Sequence, residues 1–288
     1  MSKKVIKLFD TAFAHEKYCG SKIGRNISKN VTWDRSGNIE NGDVVFFTDS
    51  SLSKVDTIKQ DCIKIAWLIE PPVVWSESYN YIKLNWGKFD MILTHNEDLL
   101  KISEKFKILP MWYSMVYPEK HGVGEKIKNL SIIASNKKDT DGHKLRHNVI
   151  NHIKNKINID LYGGLTSNGK GYGPIDDKSL ALSPYRFSII IENTKSPQYF
   201  TEKLIDSFLC GAVPIYWGAD SVGAYFNEKG IIPFNSIVDI DEILPTLTIE
   251  KYNSMKIYVK ENYEKAFKYL CVEDYFYEKY LIDLCQQK

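Results

Sequence analysis

Short apolar segments alternate with helical segments along this 288-residue chain, and that alternation limits the possible folds more than any other feature of the sequence. Short, largely apolar strands are typical of parallel sheets that are covered on both faces. In the first half of the chain we predict a helix at Glu97–Phe106 and strands at Val5–Phe9, Asp43–Thr48, Cys62–Ile69, Met91–Thr94 and Ile108–Met111. The pattern favours an α/β fold with parallel sheets.

The polar and basic stretch Pro118–Asn129 interrupts this pattern, which then starts again. Beyond it we predict helices at Gly142–Lys154 and Glu202–Leu209 and strands at Leu130–Ser135, Ile157–Tyr162, Arg186–Glu192 and Val213–Trp217. A length of 288 residues suits two domains of ordinary size. We therefore predict two Rossmann-like domains facing across a cleft, residues 1–125 and 126–255, and a helical segment, residues 256–288, that packs back across both.

The composition excludes several classes of protein. The chain carries 38 basic and 36 acidic residues, a net charge of +2, which argues against binding nucleic acid mainly through charge. Its five cysteines are scattered without a C-x-x-C pair, so they predict neither a zinc site nor a disulfide framework, and they suit a reducing compartment. No window approaches about 18 uninterrupted apolar residues. We expect a cytoplasmic protein with no stable membrane insertion.

Polar residues and glycines follow the predicted strands at their carboxyl ends, which is where open α/β sheets bind ligands. The residues concerned are Glu70, Ser135, Asn136, Gly163, Gly164, Glu192, Asn193 and Gly218. Because the carboxyl ends of parallel strands meet at one edge of a sheet, these residues predict a binding cleft.

Thr201, Glu202 and Lys203 open the predicted helix that follows the strand ending at Glu192. The unpaired N–H groups and partial positive charge of a helix start favour an anion, and a lysine there opposes the helix dipole. A bound phosphate would resolve that conflict. The alternative is a Thr201 N-cap, with Glu202 in the favourable first turn and Lys203 directed to water. The sequence leaves both interpretations open.

The segment Tyr185–Asp220 carries the most specific pattern in the chain. It resembles the signature of the α-1,3-fucosyltransferases, glycosyltransferase family 10: a strand ending in F-E-N, a loop tyrosine, T-E-K at a helix start, and V-P-[IV]-x-x-G. Here the pattern reads Ile191-Glu192-Asn193, Tyr199, Thr201-Glu202-Lys203 and Val213-Pro214-Ile215-Tyr216-Trp217-Gly218, with Ile191 in place of the first aromatic. At lower specificity, similar elements are Ser135-Asn136 with Arg146, Tyr162-Gly163-Gly164, and the strand that ends at Glu70.

The resemblance implies a glycosyltransferase of GT-B type, in which residues 1–125 face the acceptor and residues 126–255 bind the nucleotide sugar. It implies that Glu202 binds the ribose hydroxyls and that Arg146 and Lys203 clamp the pyrophosphate. The residues expected to bind the nucleotide sugar are Arg146, Glu192, Asn193, Tyr199, Thr201, Glu202, Lys203, Gly163 and Gly218. Without the family, an exposed helix cation is the simplest interpretation of Arg146.

By the same resemblance, Glu70 is the expected general base, which takes a proton from the acceptor hydroxyl as that oxygen attacks the anomeric carbon. The implied reaction is a metal-independent, inverting transfer of L-fucose from GDP-fucose to a hydroxyl of an oligosaccharide or glycan, a step in glycan biosynthesis. Pro71 and Pro72 follow Glu70, where members of the family often have Asn or Ser. The alternatives are a transferase of another GDP-sugar and a non-catalytic protein that binds nucleotide sugars or glycans.

Three other patterns resemble metal or phosphate sites. Asp139-Thr140-Asp141 is a D-x-D, but its lysine-rich loop favours a turn and a helix cap. The segment Gly164–Lys170 lacks the Ser or Thr that completes a phosphate loop. His143 and His147 share a helical face without a clear third ligand, which favours a solvated surface. We therefore predict no metal site and no cofactor.

Overall fold

The computed structural model describes residues 2–10, 17, 25–109, 113–164 and 171–286. The chain divides into two compact units, of which the first comprises Met1–Tyr113 and Cys271–Lys288 and the second comprises Ser114–Leu270. This division falls after Tyr113, whereas the sequence analysis placed a domain boundary near residue 125. The predicted functional domains, residues 1–125, 126–255 and 256–288, stay predictions.

The first unit is built on a six-stranded sheet whose paired strands all run parallel. The strands are β1 (Lys4–Phe9), β2 (Val31–Asp34), β3 (Val44–Thr48), β4 (Ile63–Trp67), β5 (Met91–Thr94) and β6 (Phe106–Ile108), in the spatial order β2-β1-β3-β4-β5-β6. Every residue of β3 and β5 is buried, as the continuous apolar runs predicted. The short strand β2 was not predicted.

Two α-helices and a 3-10 helix accompany this sheet: α1 (Ser76–Asn85), α2 (Glu97–Leu100) and the 3-10 helix Asp49–Thr57. Asn96 caps α2, because its side-chain oxygen accepts the Leu99 N–H at 3.0 Å. The prediction that this helix continues to Phe106 is wrong, because Phe106 is buried and pairs with Ile92 of β5. Sheet pairing decides the conformation there. Residues 110 and 111 of the predicted strand Ile108–Met111 lie outside the described residues.

The second unit contains a five-stranded parallel sheet in the order β11-β10-β9-β7-β8. Its strands are β7 (Lys128–Ile133), β8 (Asp160–Tyr162), β9 (Tyr185–Ile191), β10 (Val213–Trp217) and β11 (Ile232–Pro233). Its α-helices are α3 (Asp141–Ile153), α4 (Ser179–Leu182), α5 (Glu202–Leu209), α6 (Ile237–Ile243) and α7 (Ile249–Ala266). The predicted fold class, two Rossmann-like α/β domains, is confirmed.

The segment after Leu270 belongs to the first unit. It forms α8 (Val272–Phe276), the π-helix Tyr277–Leu281 and α9 (Ile282–Gln286). The Asp274 carboxylate accepts the Ser28 hydroxyl at 2.7 Å, and the Phe276 ring lies 4.9 Å from the Phe46 ring. The last residues of the chain therefore contribute to the core beneath the first sheet.

The longest described helix, α7, has 18 residues and carries many charged side chains. None of the described helices is long and apolar enough to cross a membrane. The cytoplasmic location and the lack of stable membrane insertion stay predictions.

Helix α3 approaches the end of β9 so closely that only glycine fits between them. A Cβ atom on Gly142 would lie 1.8 Å from the carbonyl oxygen of Glu192. The Gly142 N–H donates to the carbonyl oxygen of Asn193 at 3.1 Å. This contact fixes the first turn of α3 against the strand end that carries the predicted binding residues.

Candidate functional site

The carboxyl ends of β7 and β9 form the topological switch point of the second sheet. From β7 the chain passes to β8 on one side and then to β9 on the other. Ligands of open α/β sheets bind in the crevice at such a point. Strand β9 ends at Ile191, so it delivers Glu192 and Asn193 to this edge, and Ser135 and Asn136 follow β7 there.

The side chain of Glu192 is fully buried and ties the start of α5 to the end of β9. Its carboxylate accepts the Thr201 N–H at 2.9 Å and the Thr201 hydroxyl at 2.6 Å. The ammonium of Lys203 lies 3.5 Å from the same carboxylate. A buried carboxylate needs such partners, because an unpaired charge in the interior is costly. Glu192 therefore anchors the helix start, and its contact with a nucleotide sugar stays a prediction.

Thr201 caps α5, and its hydroxyl oxygen accepts the Lys203 N–H at 3.4 Å. The Lys203 ammonium donates to the Thr201 hydroxyl at 3.0 Å and to Glu202 at 3.2 Å. Its charge is therefore balanced by Glu192 and Glu202. The Thr201 cap and Glu202 in the first turn agree with the second interpretation, but the Lys203 ammonium is ion-paired instead of being directed only to water. The bound phosphate stays a prediction. The side chain keeps 23% of its surface exposed, so the ammonium can still meet an anion from solvent.

Arg146 of α3 is buried, so the interpretation as an exposed helix cation is wrong. Its guanidinium donates to the Ile191 carbonyl, with Nε at 3.0 Å, and from Nη2 to the Asn193 side-chain oxygen at 3.0 Å. Burial lowers the pKa of Arg146, while the charges of Glu192 and Glu202 raise it. Both predicted clamp cations therefore lie at the end of β9, within reach of the same acidic pair.

A buried ion-pair chain also supports Glu202. The ammonium of Lys178 lies 3.2 Å from Glu202 and 3.4 Å from Asp206, both on α5. Burial raises the pKa of Glu202, but the charges of Lys178 and Lys203 together lower it by more. The resulting pKa is well below its usual range. Asp206 in turn accepts the Ser114 hydroxyl at 2.9 Å. Glu202 is thus held as a carboxylate in a fixed position.

Two predicted glycines are required by close contacts. Gly163 has a φ of +96°, and a Cβ there would lie 2.3 Å from the carbonyl oxygen of Ala134. A Cβ on Gly218 would lie 2.3 Å from the Tyr216 hydroxyl and 2.7 Å from Cγ of Glu192. Backbone therefore approaches backbone at Gly163, and at Gly218 the backbone lies against two buried side chains.

Tyr199 is almost fully buried, with 1% of its surface exposed, and Arg146 lies within its electrostatic influence. Its side chain therefore belongs to the packing under the loop between β9 and α5. The predicted role of Tyr199 in lining the nucleotide-sugar pocket stays a prediction.

In the first unit, Glu70 lies just beyond the end of β4 and is half-buried. Its carbonyl oxygen accepts the Tyr79 hydroxyl at 2.9 Å. The N–H of the preceding Ile69 donates to the Asp49 carboxylate at 3.1 Å. The predicted general base is therefore carried by a backbone segment with buried side-chain partners.

Comparison with known proteins identifies the family. The model of the family described as "Glycosyltransferase family 10 (fucosyltransferase) C-term" matches residues 123–284, more than half of the chain. The chain belongs to glycosyltransferase family 10. The match includes all predicted nucleotide-sugar residues of this family 10 chain, whereas Glu70 lies outside it.

Individual relatives agree with this assignment. An α-(1,3)-fucosyltransferase of Helicobacter pylori, FucT, is 32% identical over 124 residues, which are 43% of this chain and 26% of the relative. The alignment thus spans about a quarter of that relative. A crystal structure of an α1,3-fucosyltransferase with GDP superposes over 100% of this chain and 92% of its own, with a TM-score of 0.62 and 18% identity. Another, with GDP-fucose, covers 92% and 96% at a TM-score of 0.53 and 17% identity. These likenesses show the fold, which is of GT-B type.

The patterns dismissed as metal sites take structural roles in this family 10 chain. Thr140 caps α3, which confirms the helix-cap interpretation of Asp139-Thr140-Asp141. His143 completes that cap and is buried, so its prediction as a solvated residue is wrong. Burial lowers its pKa to about 4. Among the described residues no group of three His, Cys, Asp or Glu side chains is placed to hold a metal ion, and residues 165–170 of the phosphate-loop-like segment lie outside them.

Sequence reasoning missed Lys178, Asp206 and Gly142. Lys178 lies in a loop 24 residues before Glu202 without a periodic pattern, so no sequence signal links the two. Asp206 lies one helical turn after Glu202, and this spacing was the available signal that α5 presents two carboxylates on one face.

We expect Lys178→Met to destabilise the chain by about 3–5 kcal/mol at pH 8, because it leaves the buried Asp206 carboxylate without its cation and Glu202 with Lys203 alone. Burial raises the pKa of Asp206 from 3.8 to about 6 even with Lys178 present. When folding raises the pKa of a carboxyl group, the free energy of unfolding falls as the pH rises from the unfolded-state pKa to the folded-state pKa. The deficit of the variant should therefore shrink when urea unfolding is repeated at pH 5.

The control is Lys144→Met, whose side chain is 62% exposed and lies 3.9 Å from Asp141. It should change the free energy of unfolding by less than about 0.5 kcal/mol. Equal stability of the two variants at pH 8 would show that Lys178 does not compensate the buried carboxylates.

Proposed function

We propose that this family 10 chain transfers L-fucose from GDP-fucose to a hydroxyl of an oligosaccharide or glycan acceptor, with inversion and without a divalent metal. The observation that carries the proposal is the pair of cations, Arg146 and Lys203, at the switch point of the second sheet. Both lie beside Glu192, at the place where α/β sheets bind nucleotides.

Each cation retains donors for an anion. In the described part of the chain the Arg146 hydrogen bonds involve Nε and Nη2, which leaves Nη1 for an incoming oxygen. Lys203 lies in the first turn of α5, where the helix dipole also favours a phosphate. A diphosphate therefore finds two cations and a helix start at one strand edge.

This arrangement supports catalysis without a metal. The nucleoside diphosphate gains negative charge as the glycosidic bond breaks. One unit charge about 4 Å away contributes roughly 4 kcal/mol at an effective dielectric constant of about 20. Arg146 and Lys203 would thus stabilise the leaving group in the role that a divalent ion takes elsewhere.

Glu202 suits the ribose of the donor. Its pKa is far below its usual range, so it accepts hydrogen bonds from hydroxyl groups at any physiological pH. Lys178 and Lys203 both donate to its Oε1 atom, each at 3.2 Å, and so orient the carboxylate. The ion-pair chain that sequence reasoning missed therefore preorganises this contact.

Glu70 is proposed as the general base. Inversion requires a base that acts on the face opposite the leaving group and takes the proton of the attacking hydroxyl. Glu70 follows a parallel strand at its carboxyl end, which is the edge where α/β domains carry functional groups.

Relatives support the choice of donor. The H. pylori relative is an α-(1,3)-fucosyltransferase, and one solved structural neighbour holds GDP-fucose. The Pro71-Pro72 pair after Glu70 favours testing a second GDP-sugar, because it departs from the family pattern next to the proposed base.

A thermal-shift panel tests the donor. We expect GDP-fucose to raise the melting temperature in excess EDTA, and GDP-mannose, UDP-galactose and CMP-sialic acid to raise it less, because ligand binding to the native state stabilises it. A larger shift with GDP-mannose would support the alternative donor. A shift that EDTA removes and Mn²⁺ restores would contradict metal independence.

We expect Glu70→Gln to bind GDP-fucose as the wild type does and to lose transfer by about 10²-fold or more, because the amide cannot accept the acceptor proton. Transfer to N-acetyllactosamine and GDP-fucose binding are measured on the same preparation. Glu104→Gln, an exposed residue of the first unit, is the matched control and should keep full turnover. Wild-type turnover in Glu70→Gln would remove Glu70 from the mechanism and require a different base, whereas a wild type that binds GDP-fucose but transfers nothing would favour the binding protein.

A further inference from the structure

The backbone of Ile69 and Glu70 is held by three buried side chains from different elements. Asp49 follows β3, Tyr79 belongs to α1, and His95 follows β5. Strands β3 and β5 are the two neighbours of β4 in the sheet. The segment that carries the proposed base is therefore contacted by residues at the ends of both neighbouring strands and by a residue of α1.

Asp49 binds the amino side of this segment. Its carboxylate accepts the Ile69 N–H at 3.1 Å and also hydrogen-bonds the backbone of Glu70. Only 1% of the Asp49 surface is exposed. Among the described residues it is the one non-glycine residue with a positive φ, at 30°. Such a conformation persists only where the surroundings enforce it, and it concentrates at functional sites.

Tyr79 and His95 bind the carbonyl side. The Tyr79 hydroxyl donates to the Glu70 carbonyl oxygen at 2.9 Å and lies 3.3 Å from Nε2 of His95. The His95 ring also hydrogen-bonds the backbone of Glu70. Burial lowers the pKa of His95 to about 4, so the ring is neutral under ordinary conditions and brings no charge near Glu70.

We propose that Asp49 and Tyr79 are positioning residues for Glu70. Asp49 holds the N–H groups at the amino side of Glu70, and Tyr79 holds its carbonyl oxygen. The Glu70 carboxylate would then meet the acceptor hydroxyl in one orientation. A displacement of about 1 Å in a reacting group can cost roughly 10²-fold in rate. This inference rests on the proposed role of Glu70 as the general base.

The competing explanation is that the two side chains only satisfy buried backbone groups, as most buried polar side chains do. The two explanations differ in coupling. A residue that acts through Glu70 loses its effect on the rate when Glu70 no longer works as a base, whereas a residue that only stabilises the fold acts equally in both backgrounds.

The test is a double-mutant cycle on the full chain. Asp49→Ala and Tyr79→Phe are each made in the wild-type and the Glu70→Gln backgrounds. The kcat and KM for transfer from GDP-fucose to N-acetyllactosamine are measured, together with GDP affinity and melting temperature. Asp49→Asn is the conservative variant, because asparagine keeps the accepting oxygen and tolerates a positive φ.

We expect Asp49→Ala and Tyr79→Phe each to lower kcat by about 10-fold or more in the wild-type background and by less than about 3-fold in Glu70→Gln. GDP affinity should stay unchanged, and Asp49→Asn should recover most of the turnover. Should Asp49→Ala fail to fold, the Tyr79→Phe cycle decides alone. Equal rate losses in the two backgrounds, or an Asp49→Asn variant as slow as Asp49→Ala, would overturn the proposal while leaving Glu70 as the base. A fully active Glu70→Gln would instead refute Glu70 as the base, and the absence of transfer in the wild type would refute the proposed function itself.

Discussion

The candidate site of the second unit depends on one buried carboxylate. Glu192 directly follows β9, and its carboxylate accepts hydrogen bonds from both the N–H and the hydroxyl of Thr201. These bonds connect the end of the strand to the start of α5. Lys203 lies beside the same carboxylate, and the guanidinium of Arg146 holds the carbonyl of the preceding Ile191. Without Glu192, two cations would lie close together at a helix start that itself repels positive charge.

The same carboxylates explain how the site exists before any ligand binds. Glu192 and Glu202 balance Arg146 and Lys203, and Lys178 in turn balances Glu202. A diphosphate that enters would add acceptors to cations that are already oriented, so little reorganisation is needed. The first unit follows the same logic, because Asp49 and Tyr79 fix the backbone that carries Glu70. In both units buried polar groups hold the backbone next to the residue proposed to act.

The sequence predicted the sheets well, because β3, β5, β9 and β10 are short, continuous apolar runs. Such runs are typical of strands that are buried on both faces of a parallel sheet. The sequence offered the local cap at Thr201 as one of two interpretations, because capping depends on neighbouring residues alone. It failed where tertiary contacts decide. Phe106 pairs in the sheet instead of continuing a helix. His143 is buried because its side chain completes the cap of α3. Lys178 contacts Glu202, which lies 24 residues later in the chain. The family pattern selected the residues that are proposed to bind the nucleotide sugar, but only the structure shows that Glu192 and Arg146 support the strand end.

The central claim is that the cations of the second unit bind the diphosphate directly. Titration calorimetry with GDP in excess EDTA tests it on the wild type, Lys203→Met and the exposed control Lys256→Met on α7. The account predicts measurable GDP binding in EDTA, about a tenfold weaker affinity for Lys203→Met, and wild-type affinity for Lys256→Met. Wild-type GDP affinity in Lys203→Met would contradict it.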